Sequence, residues 1–174
     1  GRMAGMPVGP LSLNDEVAVD LAWKILKATE ADLGPKAIDP RQKTLLEEMV
    51  EKRGRFGRKN GKGFYDYPAT GPKKLWPGLA DLQPKKLDPD TIDVQELKNR
   101  LLAMQALETA RCFEEKVLTD VREADVGSIL GFGFAPFSGG TLSYIDMMGS
   151  RKFVELCRAL ETKYGARFAP SKLL

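Results

Sequence analysis

Apolar side chains recur at helical spacing over most of this chain. Leu13, Val17, Leu21 and Ile25 fall every four residues, with Ala18, Ala22 and Leu26 widening the stripe. That predicts one helix, started by Ser12, stopped by Gly34-Pro35 and buried along this face. Asp39-Pro40-Arg41-Gln42 starts a second helix, with Asp at the cap and Pro in the first turn. Leu45, Leu46, Met49 and Val50 give its buried side, and Gly54 ends it. Asn60-Gly61 marks a tight turn, after which Phe64, Tyr65 and Tyr67 read as a short extended segment docked on a core. Residues 68–90 carry Pro68, Pro72, Pro77, Pro84 and Pro89 without periodicity, the pattern of a linker pinned by Leu75, Trp76 and Leu79.

Asp93 and Glu96 form a capping box for a long helix reaching about Glu115, with Ala103, Ala106, Leu107, Ala110 and Phe113 as its stripe. Thr119 caps a helix running to Leu130, and Asp120 and Glu123 suit its N-terminal dipole. A helix from Thr141 and a last one through Phe153, Cys157, Leu160 and Tyr164, ended by Gly165, complete the pattern. Strand signals are nearly nil, so the pattern predicts an all-α fold.

Two stretches repeat each other 131 positions apart. Gly9, Leu11, Ser12 and Asp15 align with Gly140, Leu142, Ser143 and Asp146. One duplication is too few for a solenoid, so the expectation is two related helical lobes. They are residues 1–67 and 91–174, joined by the linker, with Leu11 and Leu142 both turned inward.

Composition narrows the chemistry. There is no histidine among 174 residues, which removes Ser-His, Cys-His and His-metal centres. No catalytic residue and no metal site is expected in this chain. Apolar residues make up 43% and charged residues 29%, the balance of an ordinary globular protein, with no apolar run long enough to span a membrane. A net charge of +3 is too mild to imply nucleic acid, and the basic run at 53–62 has no aromatic platform beside it. Cys112 and Cys157 sit in helical patterns and read as reduced core thiols. The abrupt ends suggest a piece of something larger.

Three blocks carry a family resemblance: Gly5-Met6-Pro7-Val8-Gly9-Pro10 with Asp15; Gly57-Arg58-Lys59-Asn60-Gly61-Lys62-Gly63-Phe64-Tyr65; and Gly131-Phe132-Gly133-Phe134-Ala135-Pro136-Phe137-Ser138-Gly139-Gly140 with Tyr144-Ile145-Asp146. In this order they resemble the C-terminal domain of L-3-hydroxyacyl-CoA dehydrogenases, especially the two-copy form in the alpha subunit of multifunctional fatty acid β-oxidation enzymes. The resemblance implies an all-α, 6-phosphogluconate dehydrogenase C-terminal-domain-like fold of two pseudo-repeated lobes. It implies a parent oxidoreductase that oxidises (3S)-3-hydroxyacyl-CoA with NAD and also carries an enoyl-CoA hydratase. NAD and the His-Glu pair would belong to a Rossmann domain upstream, since no GxGxxG follows a strand here. A helix carrying an active-site Asn would also precede Gly1.

Under that resemblance Pro7, Val8, Gly9 and Pro10 are candidates to line the acyl-CoA cleft, and Arg58 and Lys59 to hold a CoA phosphate in a glycine-rich turn. Asn99 is the second copy's counterpart of the upstream Asn, with a solvated or capping role as the plainer reading. Implied partners are the chain's own NAD-binding domain, the acyl-CoA substrate, and a second subunit, either a copy or a thiolase. The implied location is the cytoplasm of a bacterium, or the mitochondrial matrix or peroxisome of a eukaryote. A stand-alone helical interaction or dimerisation module is the other reading.

Overall fold

A computed structural model of the chain describes residues 1–83 and 87–174; Pro84 of the proline-rich stretch lies outside the described residues. The chain divides into two compact units, one of Gly9–Asp90 and one of Gly1–Val8 with Thr91–Leu174. Among the described residues the regular structure is helical, apart from one antiparallel pair of two-residue strands. The all-α expectation is met.

The unit Gly9–Asp90 begins with α1 (Pro10–Val17) and α2 (Val19–Leu33), followed by α3 (Pro40–Glu47), which Asp39 caps by accepting the Arg41 N–H. A π-helical turn, Glu48–Lys52, extends α3 and buries Met49 and Val50. Strands β1 (Tyr65–Asp66) and β2 (Lys74–Leu75) pair Tyr65 with Leu75. The core gathers Val19, Trp23, Leu26, Leu46, Met49, Val50 and Phe64. Trp76, Leu79 and Leu82 pack on it, so this part of the proline-rich stretch is a wall of the unit as well as a connection.

The other unit is built on α4 (Val94–Glu114), capped by Asp93 accepting the Glu96 N–H. Helix α5 (Val121–Phe132) is capped by Asp120, one residue later than Thr119. The carboxylate reaches the free N–H groups that the threonine hydroxyl was expected to serve. Helices α6 (Thr141–Met148) and α7 (Ser150–Tyr164) follow. Ala103, Ala106 and Ala110 let α4 approach Tyr144, Ile145, Phe153, Cys157 and Leu160 closely. Ala4 joins this core, which is why Gly1–Val8 groups with the later residues.

The internal repeat is real in the backbone. Helices α1 and α6 have eight residues each and α2 and α7 fifteen, at a constant spacing of 131 positions. The junction inside each pair matches too: Ala18 has φ 94°, ψ 123° and Gly149 has φ 87°, ψ 127°. Both pairs end on an extended glycine of positive φ, Gly34 and Gly165, and a short 3-10 turn. The single helix expected from Ser12 to Gly34 is therefore two, broken at Ala18. Its start also shifts, to Gly9 as cap and Pro10 as first residue.

The side chains diverge where the backbone does not. In α6 and α7, Leu142, Tyr144, Met148, Leu156 and Tyr164 pack on the core around α4. Their counterparts Leu11, Leu13, Val17, Ile25 and Leu33 are 39, 43, 55, 57 and 73% exposed. Leu13, Val17, Leu21 and Ile25 of the stripe expected to be buried thus face outward, as does Leu11. Leu26 and Ala22 of that stripe do meet the core, where the break at Ala18 also brings Val19 and Trp23.

Candidate functional site

In the unit Gly9–Asp90 the buried polar centre is Asp15, which is 1% exposed. Its Oδ1 accepts the Phe64 N–H at 2.7 Å, and its Oδ2 accepts the Tyr65 N–H at 2.9 Å and the Tyr67 hydroxyl at 3.0 Å. Burial, with that hydrogen bond, pushes the Tyr67 phenol well above its ordinary range. The second sequence block is shaped around this carboxylate. A Cβ on Gly63 would fall on it, and a Cβ on Gly57, which also holds φ 104°, would strike the Asp15 backbone oxygen.

The rest of the block holds the turn shut. Asn60 Oδ1 accepts from Phe56 N and Lys62 N, while Asn60 Nδ2 donates to the Gly54 carbonyl at 2.8 Å. Arg55 is buried, donates to the Gly63 carbonyl at 2.7 Å and lies 4.1 Å above the Trp76 ring. This is a structural clamp made of groups that sequence reading had singled out for their pattern alone.

Arg58 and Lys59 sit on that turn, each already matched to an acid. Arg58 Nη1 contacts both Glu16 carboxylate oxygens, at 2.9 and 3.0 Å, and Lys59 pairs with Asp20. The hydrogen bond from Lys59 holds the Asp20 carboxyl below the usual range. The turn's N–H groups at Gly57, Asn60, Gly61, Lys62 and Gly63 all donate to chain carbonyls. A CoA phosphate would have to compete with Glu16 and Asp20 for these two side chains.

Pro7 and Val8 belong to one compact unit, Gly9 and Pro10 to the other. Pro7, Val8 and Pro10 are exposed. Pro7 abuts Gly133, where a Cβ would come within 2.9 Å of its ring. Gly9 caps α1 through the backbone, and Pro10 occupies the first helical position. Asn99 lies on α4, where its Oδ1 accepts from Gln95 Nε2 at 2.9 Å, a pairing one helical turn apart. Cys112 and Cys157 are both free thiols.

Sequence reading missed Asp125. It is buried on α5 and its carboxylate accepts Leu142 N at 2.7 Å, Ser143 N at 3.2 Å and Ser143 Oγ at 2.6 Å, satisfying the open N-terminus of α6. Close approach is permitted by Gly140, whose Cβ would strike Asp125. Among the described residues no side chain accepts from the equivalent end of α1. The signal that could have found Asp125 is a lone acid inside the apolar pattern 124–130.

Among the described residues no cluster of His, Cys, Asp and Glu suits a metal, and no helix is long and apolar enough to cross a membrane. The residues present do not fit a dinucleotide either, because the described strands form one two-residue antiparallel pair and no strand feeds a glycine-rich helix start.

Comparison with known proteins gives three results. Residues 1–67 match the family model of the 3-hydroxyacyl-CoA dehydrogenase C-terminal domain. The fatty acid oxidation complex subunit alpha of Vibrio cholerae serotype O1 is 38% identical over 167 residues, covering 95% of this chain and 23% of that protein. Its namesake from Shewanella amazonensis is 39% identical over 173 residues, covering 98% and 24%. This chain spans about a quarter of the length of these curated relatives. In fold it is similar to the crystal structure of 3-hydroxybutyryl-CoA dehydrogenase from Escherichia coli K12, with a TM-score of 0.65 at 17% identity, covering 98% of this chain and 51% of that one.

Proposed function

Through residues 1–67 this chain belongs to the 3-hydroxyacyl-CoA dehydrogenase C-terminal domain family, and on that premise we propose that it is the helical, non-catalytic part of a longer fatty acid β-oxidation enzyme. The parent oxidises (3S)-3-hydroxyacyl-CoA to 3-ketoacyl-CoA. NAD supplies the hydride acceptor and is held by a separate Rossmann domain, as is the catalytic base. This chain forms one wall of the acyl-CoA cleft, with Pro7–Pro10 near it, and the surface on which the cofactor domain or a second subunit, a copy or a thiolase, docks. The parent works in the cytoplasm if bacterial, and in the mitochondrial matrix or peroxisome if eukaryotic.

The observation that carries this reading is the outward apolar face of α1 and α2. Leu11, Leu13, Val17, Ile25 and Leu33 are exposed at positions whose copies in α6 and α7 pack against a helix. A face with that many large apolar groups marks a surface built to be covered. The chain alone should give no NADH from 3-hydroxyacyl-CoA, having neither histidine nor a nucleotide fold. Substituted for the matching quarter of the Vibrio cholerae subunit, it should support NADH formation. Leu13→Glu with Ile25→Glu should abolish that activity while leaving the isolated chain folded. Full activity from the double variant would refute the docking role.

A further inference from the structure

A cavity of about 500 Å³ lies within the unit of Gly1–Val8 and Thr91–Leu174, apart from the residues discussed so far as candidate sites. That is the size of a small-molecule site. Its wall is largely apolar and includes Met6, Leu101, Met104 and Phe168. Two arginines, Arg100 and Arg167, also line it. Neither pairs with an acid among the described residues. Arg100 Nε is buried without a hydrogen-bond partner, and its guanidinium stacks 4.0 Å over the Tyr164 ring. Glu96, one turn earlier on α4, is engaged by Lys163 and Tyr164.

A buried guanidinium N–H without an acceptor is a cost that an incoming oxygen would relieve. The planar fork of its donors matches a carboxylate. Methionine walls adapt to a flexible aliphatic body. We propose that this cavity binds an aliphatic carboxylate, its head on Arg100 and Arg167 and its chain along Met6, Leu101, Met104 and Phe168. The volume equals on the order of fifteen water-sized groups, which suits a chain of about ten carbons. This rests on the cavity alone and does not depend on the dehydrogenase reading.

The test is a titration of the 174-residue chain, labelled with ¹³C at its methionine methyls, with sodium decanoate below its micellar range. Saturable shifts are expected at Met6 and Met104, with Met49 of the other core and the exposed Met147 unmoved. Binding should weaken about tenfold for 1-decanol, and about tenfold for Arg100→Gln and for Arg167→Gln. Arg167 is exposed, so its variant decides the matter if Arg100→Gln does not fold. Absence of saturation, equal affinity for decanol, or shifts spread evenly to Met147 would each overturn the proposal.

Discussion

Asp15 and Asp146 occupy the same place in the two copies of one backbone unit, so replacing each separates what the position does from what the helix does. Asp15→Ala leaves two backbone N–H groups and the Tyr67 phenol without their acceptor. A buried donor left unsatisfied costs about 1–3 kcal/mol. Phe64 is buried and loses the full amount, while Tyr65 and Tyr67 are half-buried and regain some hydration. The sum is about 3–5 kcal/mol, or upward of roughly 12 °C in the midpoint for a unit of this size. Asp15→Asn keeps the shape but turns an amide N–H₂ toward one donor, and should cost about 2–3 kcal/mol. Asp146 is exposed, and Asp146→Asn should change stability by less than about 0.5 kcal/mol. Both tryptophans, Trp23 and Trp76, lie in the unit that holds Asp15, so urea unfolding followed by their fluorescence reads that unit directly. Equal effects at the two aspartates, or a loss under about 1 kcal/mol for Asp15→Ala, would refute the account of the clamp.

Three further outcomes are expected. Ala18 holds a positive φ where its copy is glycine, so Ala18→Gly should stabilise the first unit by about 1 kcal/mol, seen as a higher tryptophan-monitored midpoint. Burial pushes the Cys157 thiol up to about 11 from 9.0. Its folded pKa is raised, so the unfolded chain releases that proton first: stability should fall as pH rises between about 9 and 11, less steeply in Cys157→Ala, and Cys157 should resist thiol reagents at neutral pH until the chain unfolds. The Glu96 carboxyl is held below its ordinary range, first by the Lys163 hydrogen bond and then by Tyr164. Its contribution is therefore present above the ordinary glutamate pKa and lost as pH falls through the lowered one, and Glu96→Gln should flatten that part of the acid limb of a thermal-stability profile.

Much of the fold was legible because it depends on local signals. Gly34 and Gly165 and the aspartate caps at Asp39 and Asp93 set helix ends through backbone chemistry that a few residues encode. The break at Ala18 was hidden because alanine is a good helix former and gives no sign of a positive φ; only its glycine counterpart, Gly149, carries one. Which side of α2 is buried was misread for a different reason. Leu13, Val17, Leu21 and Ile25 make the longer apolar stripe, but Val19, Trp23 and Leu26 make the core. Periodicity reports that a face is apolar and says nothing of which partner covers it.

The two copies resolve that ambiguity together. Copy one buries Asp15, Val19, Trp23 and Leu26, against α3 and the turn at 57–63. Copy two buries Tyr144, Ile145, Phe153, Cys157 and Leu160, against α4. These are largely different faces of the same helical pair, overlapping at Leu26 and Cys157, which hold the same position in the two copies. Asp146 and Ser150, the counterparts of Asp15 and Val19, are exposed, just as Leu13 and Val17 are exposed where Tyr144 and Met148 pack. The pair is therefore a two-sided element, and each copy in this chain shows one side engaged. Apolar residues persist on the open side of copy one, whereas copy two has Asp146 and Ser150 on its own. Selection for solubility alone would have made both open sides polar. The asymmetry supports the proposed docking role of α1 and α2.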